Sequence, residues 1–157
     1  MKRLTISTTI LALAIMLLPA SVFGQDTPTP AVTGAGQASL PAGANYAGVN
    51  LSSLTFGAGV FIPGDSTAAG DFQATLSGTT ILGVARDIEV EGIATAGSIA
   101  SGTGTFSGTA TVDLGDGTPP LTNVPFTVTA SPTSLILVLG ATNLPVATVT
   151  LGDITVE

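Results

Sequence analysis

The sequence predicts a single all-β domain, an antiparallel β-sandwich or a flattened β-barrel of about seven to eight strands. Apolar and polar residues alternate with a period of two from residue 51 onward, which is the pattern of strands with one buried face. Turn-forming Gly, Pro, Asn and Asp residues separate these stretches, and the chain holds 20 glycines and 10 prolines. No window has the period of an amphipathic helix. A sandwich and a small barrel share these features, so both remain open.

The first 24 residues have the three parts of a secretory signal peptide. Lys2 and Arg3 supply the positive charge, residues 10–18 are continuously apolar, and small residues precede a cleavage site after Gly24. The apolar run is shorter than the roughly 20 residues that a membrane-spanning helix needs. We therefore expect cleavage near Gly24, a mature chain without a transmembrane segment, and a secreted or periplasmic location.

Residues 25–50 are rich in Pro, Gly, Ala and Thr. The Thr-Pro-Thr-Pro stretch favours extended backbone, and the composition predicts a flexible linker. The all-β domain is then predicted to occupy residues 51–157, about 107 residues, which is enough for one domain. Its core must be held by packing alone, because the chain has no cysteine to form a disulfide.

Apolar residues at alternate positions define the predicted strands in order. They are Leu54, Phe56, Ala58, Val60 and Ile62, then Phe72, Ala74 and Leu76, then Ile88 and Val90, then Phe106, Ala110, Val112 and Leu114, then Phe126, Val128 and Ala130, then Leu135 to Leu139, and last Val149, Leu151, Ile154 and Val156. Pro63-Gly64-Asp65 and Asp116-Gly117 are predicted turns. The alternation changes parity at Gly92 and at Gly152, which predicts a β-bulge at each.

The run from Leu135 to Leu139 is apolar at every position, so a strand there must be covered on both faces. We expect a central core strand. Two alternatives stay open: the run lines an apolar ligand cavity within a barrel, or it is a surface for self-association. Exposed strand edges are a further candidate for self-association, by strand addition.

The composition excludes most catalytic chemistry. The chain has no Cys, His or Trp, so it lacks Ser-His-Asp and Cys-His arrangements and the usual ligands of zinc and copper. After cleavage, Arg86 is the only cationic side chain beside ten carboxylates. This acidic balance predicts no nucleic-acid partner, because phosphate binding depends on Lys and Arg. The protein is predicted not to be an enzyme.

Three carboxylates at alternate positions form the sharpest local pattern. On a strand, Asp87, Glu89 and Glu91 share one face at a spacing of roughly 6.6–7 Å. They are a candidate surface calcium site, since Ca²⁺ takes oxygen ligands. The alternative is a solvated strand face whose charges prevent edge-to-edge aggregation. No other cofactor is predicted.

These observations favour a secreted, non-catalytic β-domain with a structural, adhesive or cell-envelope or matrix-associated role, and one that self-assembles through its strands. The alternative is an extracellular or periplasmic carrier of a small apolar, lipid-like ligand in a β-barrel cavity.

Overall fold

A computed structural model describes residues 29–157; the predicted signal peptide lies outside the described residues. Within that part, ten strands form one antiparallel sheet, which confirms the all-β prediction, and no helix is long and apolar enough to cross a membrane. The strands are β1 (Ala31–Ser39), β2 (Asn45–Tyr46), β3 (Val49–Phe61), β4 (Thr67–Thr80), β5 (Ala85–Ala100), β6 (Thr103–Asp113), β7 (Leu121–Ser131), β8 (Ser134–Leu139), β9 (Thr142–Asn143) and β10 (Ala147–Val156).

The sheet closes on itself into a barrel. Strands β3 to β8 pair in chain order, and β1 pairs with both β3 and β10. The ring is completed where β10 pairs with β8 at Ala147–Leu135 and Thr148–Ser134. The two-residue strands β2 and β9 add to β3 and β8. One continuous closed sheet resolves the choice between a sandwich and a barrel.

Three phenylalanine rings fill the middle of the barrel. The ring centroid of Phe72 lies 5.9 Å from that of Phe106 and 5.8 Å from that of Phe126, and Phe106 and Phe126 are 6.3 Å apart. Aromatic pairs at such distances contribute about 0.5–1.5 kcal/mol beyond the burial of their area. The predicted alternation supplies the aliphatic residues around them. Fully buried members include Leu54, Val60, Leu76, Ile88, Val112, Val128, Leu135, Leu137 and Leu139.

The bulge predicted at Gly92 is wrong. Gly92 is in regular register with Ala110 and points into the barrel, where a Cβ atom would lie 2.7 Å from Cε1 of Phe126. The position is a glycine because the ring occupies the space of a side chain. The extra residue of β5 is Thr95, which the register with β6 skips. Ile93, beside the glycine, faces outward and is 62% exposed.

The bulge predicted at Gly152 is also misplaced. The register between β1 and β10 skips Thr150, two residues earlier, and Gly152 is paired with Gly36. Because the face changes at Thr150, Leu151 does not share the inner face with Val149. Leu151 lies on the outer wall and is 65% exposed.

The predicted linker at residues 25–50 is corrected from residue 31 onward. Strand β1 begins at Ala31 and closes the barrel between β3 and β10, and Val32 and Ala38 belong to the core. Its small residues reflect tight packing: Gly36 faces inward, and a Cβ atom there would collide with the carbonyl oxygen of Leu151. The folded domain therefore includes residues 31–50. Residues 29–30 lead into β1, and residues 25–28 lie outside the described part.

The barrel has a terminal end and a tip end. The terminal end is where Ala31 and Glu157 exchange backbone hydrogen bonds of 3.1 and 3.0 Å. The tip end is the opposite one, where the turn at residues 81–84 joins β4 to β5. The outer wall between them is the surface on which the predicted site residues lie.

Candidate functional site

The carboxylates singled out in the sequence lie on the outer wall. Asp87, Glu89 and Glu91 are exposed on one face of β5. The register with β6 places Asp113 directly opposite Glu89. With Asp71 of β4, they form the acidic face: Asp71, Asp87, Glu89, Glu91 and Asp113. Like charges directly opposite one another on a sheet are destabilising, so this pairing is a cost to the fold.

A shallow depression of about 350 Å³ borders the acidic face. The side chains of Thr55, Gln73, Thr75, Glu89 and Glu91 line it. These groups donate and accept hydrogen bonds, and the two glutamates carry negative charge. The rest of the lining, which includes the largely buried Phe56, adds no cationic side chain. The depression suits a polar or cationic ligand better than an anionic one.

The structure does not gather ligands for a metal ion. No group of three or more His, Cys, Asp or Glu side chains in residues 29–157 is placed to hold one. Successive carboxylates on β5 are one strand repeat apart, roughly 6.6–7 Å, whereas two oxygens bound at about 2.3–2.6 Å to one Ca²⁺ lie no more than about 5 Å apart. A calcium site at Asp87, Glu89 and Glu91 therefore stays a prediction, and it would require these side chains to converge.

Two other carboxylates serve turns. Oδ1 of Asp65 accepts hydrogen bonds from the backbone N–H (3.0 Å) and the hydroxyl of Thr67. Oδ1 of Asp116 accepts the same pair from Thr118, at 3.0 and 2.6 Å. These bonds, the threonine hydroxyl first, lower the pKa of Asp65 and of Asp116. A smaller contribution at Asp116 comes from Arg86, whose Nη1 is 3.9 Å away.

An uncharged part of the outer wall lies next to the acidic face. Alternate residues of β6 and β7 place hydroxyls side by side, and the hydroxyl oxygens of Thr105 and Thr129 are 3.3 Å apart. We call this surface the hydroxyl face; its members are Thr103, Thr105, Ser107, Thr109, Thr127 and Thr129. It offers short, stiff side chains with hydrogen-bonding capacity and no charge.

The run at residues 135–139 divides between core and wall. Leu135, Leu137 and Leu139 are each 1% exposed and belong to the core, so the prediction of a strand covered on both faces is right for this face only. Ile136 and Val138 are half-buried on the outer wall beside the hydroxyl face. Self-association through this segment stays a prediction, with only these two side chains available on the outside.

The sequence pattern did not predict the apolar turn at the tip end. Ile81, Leu82 and Val84 are 90%, 86% and 57% exposed around Gly83, whose φ is 77°. The signal was present as Ile-Leu-Gly-Val, a short apolar run interrupted by glycine and without alternation. We call these three side chains the apolar tip.

The sequence pattern also did not predict the side of β10 that lacks a partner strand. The pairing of β10 with β8 ends at Thr148, and the N–H of Val149 donates to the carbonyl oxygen of Thr133 at 3.0 Å; beyond Val149, β10 pairs with β1 alone. Nothing in the sequence of β10 itself marks this edge, because it arises from the neighbouring strand: β8 begins at Ser134, opposite Thr148, and does not extend along the rest of β10.

Comparison with known proteins gives no relative: no protein-family model, no curated protein and no solved structure matches the chain. The function must be inferred from the geometry of the barrel itself.

Proposed function

We propose that the protein is a secreted, non-catalytic β-domain with a structural or adhesive role at the cell envelope or in an extracellular matrix. The observation that supports this most is the division of the barrel into a filled interior and a varied outer wall. The rings of Phe72, Phe106 and Phe126 occupy the interior. Interaction is therefore left to the wall and the ends.

The wall and the tip end together offer three chemically distinct surfaces: the acidic face and the hydroxyl face on the wall, and the apolar tip at the end. Adhesion uses extended surfaces of this kind on a rigid support, and a closed sheet with short connections is such a support. The net charge of −7 favours solubility at high concentration and attraction to cationic partners.

The arrangement of the carboxylates supports a non-catalytic role. Carboxylate-pair hydrolysis requires one carboxylic acid that is kept protonated by an apolar environment. Asp87, Glu89 and Glu91 are exposed on a strand instead. Loss of a measured turnover on Glu89→Gln or Glu91→Gln would contradict this part of the proposal.

The location is tested by fractionating cells that make the protein. We expect the protein outside the cytoplasm, associated with the envelope, matrix or medium. Its intact mass should correspond to a chain that begins at Gln25. A full-length chain retained in the cytoplasm would overturn the proposed secretion.

Carriage of a small apolar ligand is the second candidate, supported by a depression of about 290 Å³ at the terminal end. Its lining includes Pro30, Ile62 and Ile99. Because the rings fill the middle of the barrel, the ligand would bind at this end. Native mass spectrometry should then find a mass excess that is lost on denaturation and in Ile99→Asp, a half-buried position of the lining. A clean protein mass would reject this candidate.

Calcium binding could accompany either the structural role or ligand carriage, and it is tested separately. Binding at Asp87, Glu89 and Glu91 would raise the melting temperature with millimolar calcium, because a ligand that binds only the folded state stabilises it. The rise should vanish in Glu89→Gln. An identical melting temperature in calcium and in chelator would show that the protein has no such calcium site.

A further inference from the structure

The open side of β10 carries backbone groups without a partner. The exchange of hydrogen bonds between Ala31 and Glu157 fixes the phase of the β1–β10 ladder. Because bonded and non-bonded pairs alternate in an antiparallel ladder, Asp153 and Thr155 also bond to β1. The N–H and C=O groups of Gly152, Ile154 and Val156 then point away from β1. In the described part of the chain no strand pairs with them there.

The features that normally protect such an edge are few. Natural edges carry lysine, proline or inward-pointing charge. The segment Leu-Gly-Asp-Ile-Thr-Val at residues 151–156 has a single charged residue, Asp153, and neither lysine nor proline. The bulge at Thr150 lies at its start, which leaves the following residues in unbroken register with β1. The register with β1 is unbroken from Leu151 to Val156, and the backbone departs from the extended conformation only at Gly152, whose φ is 84°.

We propose that this edge binds the same edge of a second copy of the chain, forming an antiparallel two-fold dimer centred on Ile154. The proposal rests on the proposed structural role and names the surface through which the domain would associate. Centring on Ile154 pairs it with its own copy and pairs Gly152 with Val156 of the other chain. The two copies of Ile154 then exchange both of their open N–H and C=O groups, and the contact is self-complementary as a two-fold interface requires.

Charge selects this register over its neighbour. With Ile154 at the centre, Asp153 lies opposite Thr155 of the second copy, and no carboxylate meets another. Shifting the centre to Asp153 would place that residue opposite itself and leave Val156 without a partner. Like charges directly opposite are destabilising, and two unpaired groups per chain remain unsatisfied.

The test uses opposite charges at one position and a matched control. Thr155→Lys places an ammonium opposite Asp153 of the second copy, and Thr155→Asp places a carboxylate there. Thr148→Lys and Thr148→Asp make the same charge changes on the same strand, where β1 and β8 pair with both sides. Sedimentation equilibrium of the purified protein is measured from roughly 10 μM to 1 mM, a range suited to a small interface.

We expect a concentration-dependent dimer. Relative to the control with the same charge, Thr155→Asp should raise the dissociation constant roughly 2- to 30-fold and Thr155→Lys should lower it by a similar factor, because the contact occurs twice. High salt should reduce both effects.

A monomer at every concentration would overturn the dimer and leave the proposed location and non-catalytic role in place, since those are tested by fractionation and turnover. A dimer that responds equally to charges at positions 148 and 155 would overturn this edge as the contact, because association would then use another surface.

Discussion

Phe106 shows most directly what a single side chain contributes to this barrel. It is fully buried between the rings of Phe72 and Phe126. We expect Phe106→Ala to lower the free energy of unfolding by about 3–5 kcal/mol, because the substitution leaves a cavity that closed walls cannot fill. Thr109→Ala, on the exposed face of the same strand, should change it by no more than about 0.5 kcal/mol. Chemical denaturation checks both, and similar midpoints would contradict the inward and outward assignment of β6.

At Gly92 we expect the addition of a single methyl group, rather than the removal of a side chain, to destabilise the fold. The Cβ atom of Gly92→Ala would lie 2.7 Å from Cε1 and 2.9 Å from Cζ of Phe126. The ring is held by two neighbouring rings, so relief requires a shift of the core and should cost about 1–3 kcal/mol. Gly57→Ala is the matched control, since no atom lies within 4 Å of its Cβ position.

The double variant Gly92→Ala with Phe126→Leu distinguishes crowding between the new methyl group and the Phe126 ring from a general effect of alanine in β5. If crowding is the cause, the two substitutions should cost less together than the sum of their separate costs. Strict additivity in denaturant melts would argue against the contact.

Asp116 allows a test of a hydrogen bond through titration. We expect Thr118→Val to raise the pKa of Asp116 toward its ordinary value of 3.8, because the threonine hydroxyl is the largest cause of its lowering. A lowered pKa in the folded state stabilises the fold above pH 3.8 and loses that effect as the pH falls through the lowered value. Carboxyl NMR titration gives the values. Asp65, bonded to Thr67, is the internal reference and should not move.

At the level of strands, the pairing of β5 with β6 sets two carboxylates against each other. Glu89→Gln should raise the free energy of unfolding by about 0.2–1 kcal/mol, because it removes the charge opposite Asp113. Asp71→Asn removes a charge from the same face, where the register partners are Gly59 and Ile93, and should have a smaller effect. Thermal melts at low and high salt provide the measurement. A gain for Glu89→Gln that persists in high salt would speak against a charge effect.

The same strands show how far the sequence predicts the fold. Alternation correctly assigned Phe72, Phe106 and Phe126 to the interior, because a buried face imposes a period of two. It misplaced both bulges because it treated glycine as the site of irregularity. Gly92 is instead a space for a neighbouring ring, and the residues that the register skips are Thr95 and Thr150. A glycine that makes room and a glycine that marks a bulge look alike in sequence.

For the molecule as a whole, the closure of the sheet into a barrel could not be predicted from the sequence. It depends on β1 pairing with both β3 and β10, and the latter contact joins the two ends of the described chain. The small residues of β1 resemble a linker because Gly36 packs against backbone rather than against side chains. The acidic face was predictable from the alternation at Asp87, Glu89 and Glu91, whereas the open edge of β10 follows from the position at which β8 begins, which no pattern within β10 marks.

Amide hydrogen exchange tests this closure residue by residue. In the dilute monomer, the amides of Ile154 and Val156 should exchange quickly because they have no partner on the open side of β10. Those of Asp153 and Thr155 should exchange slowly because they bond to β1. Uniform protection along residues 152–156 in dilute protein would mean that the barrel wall is sealed at this position. Protection of Ile154 and Val156 that grows with protein concentration would instead locate self-association at this edge, since a partner strand protects the amides that β1 leaves free.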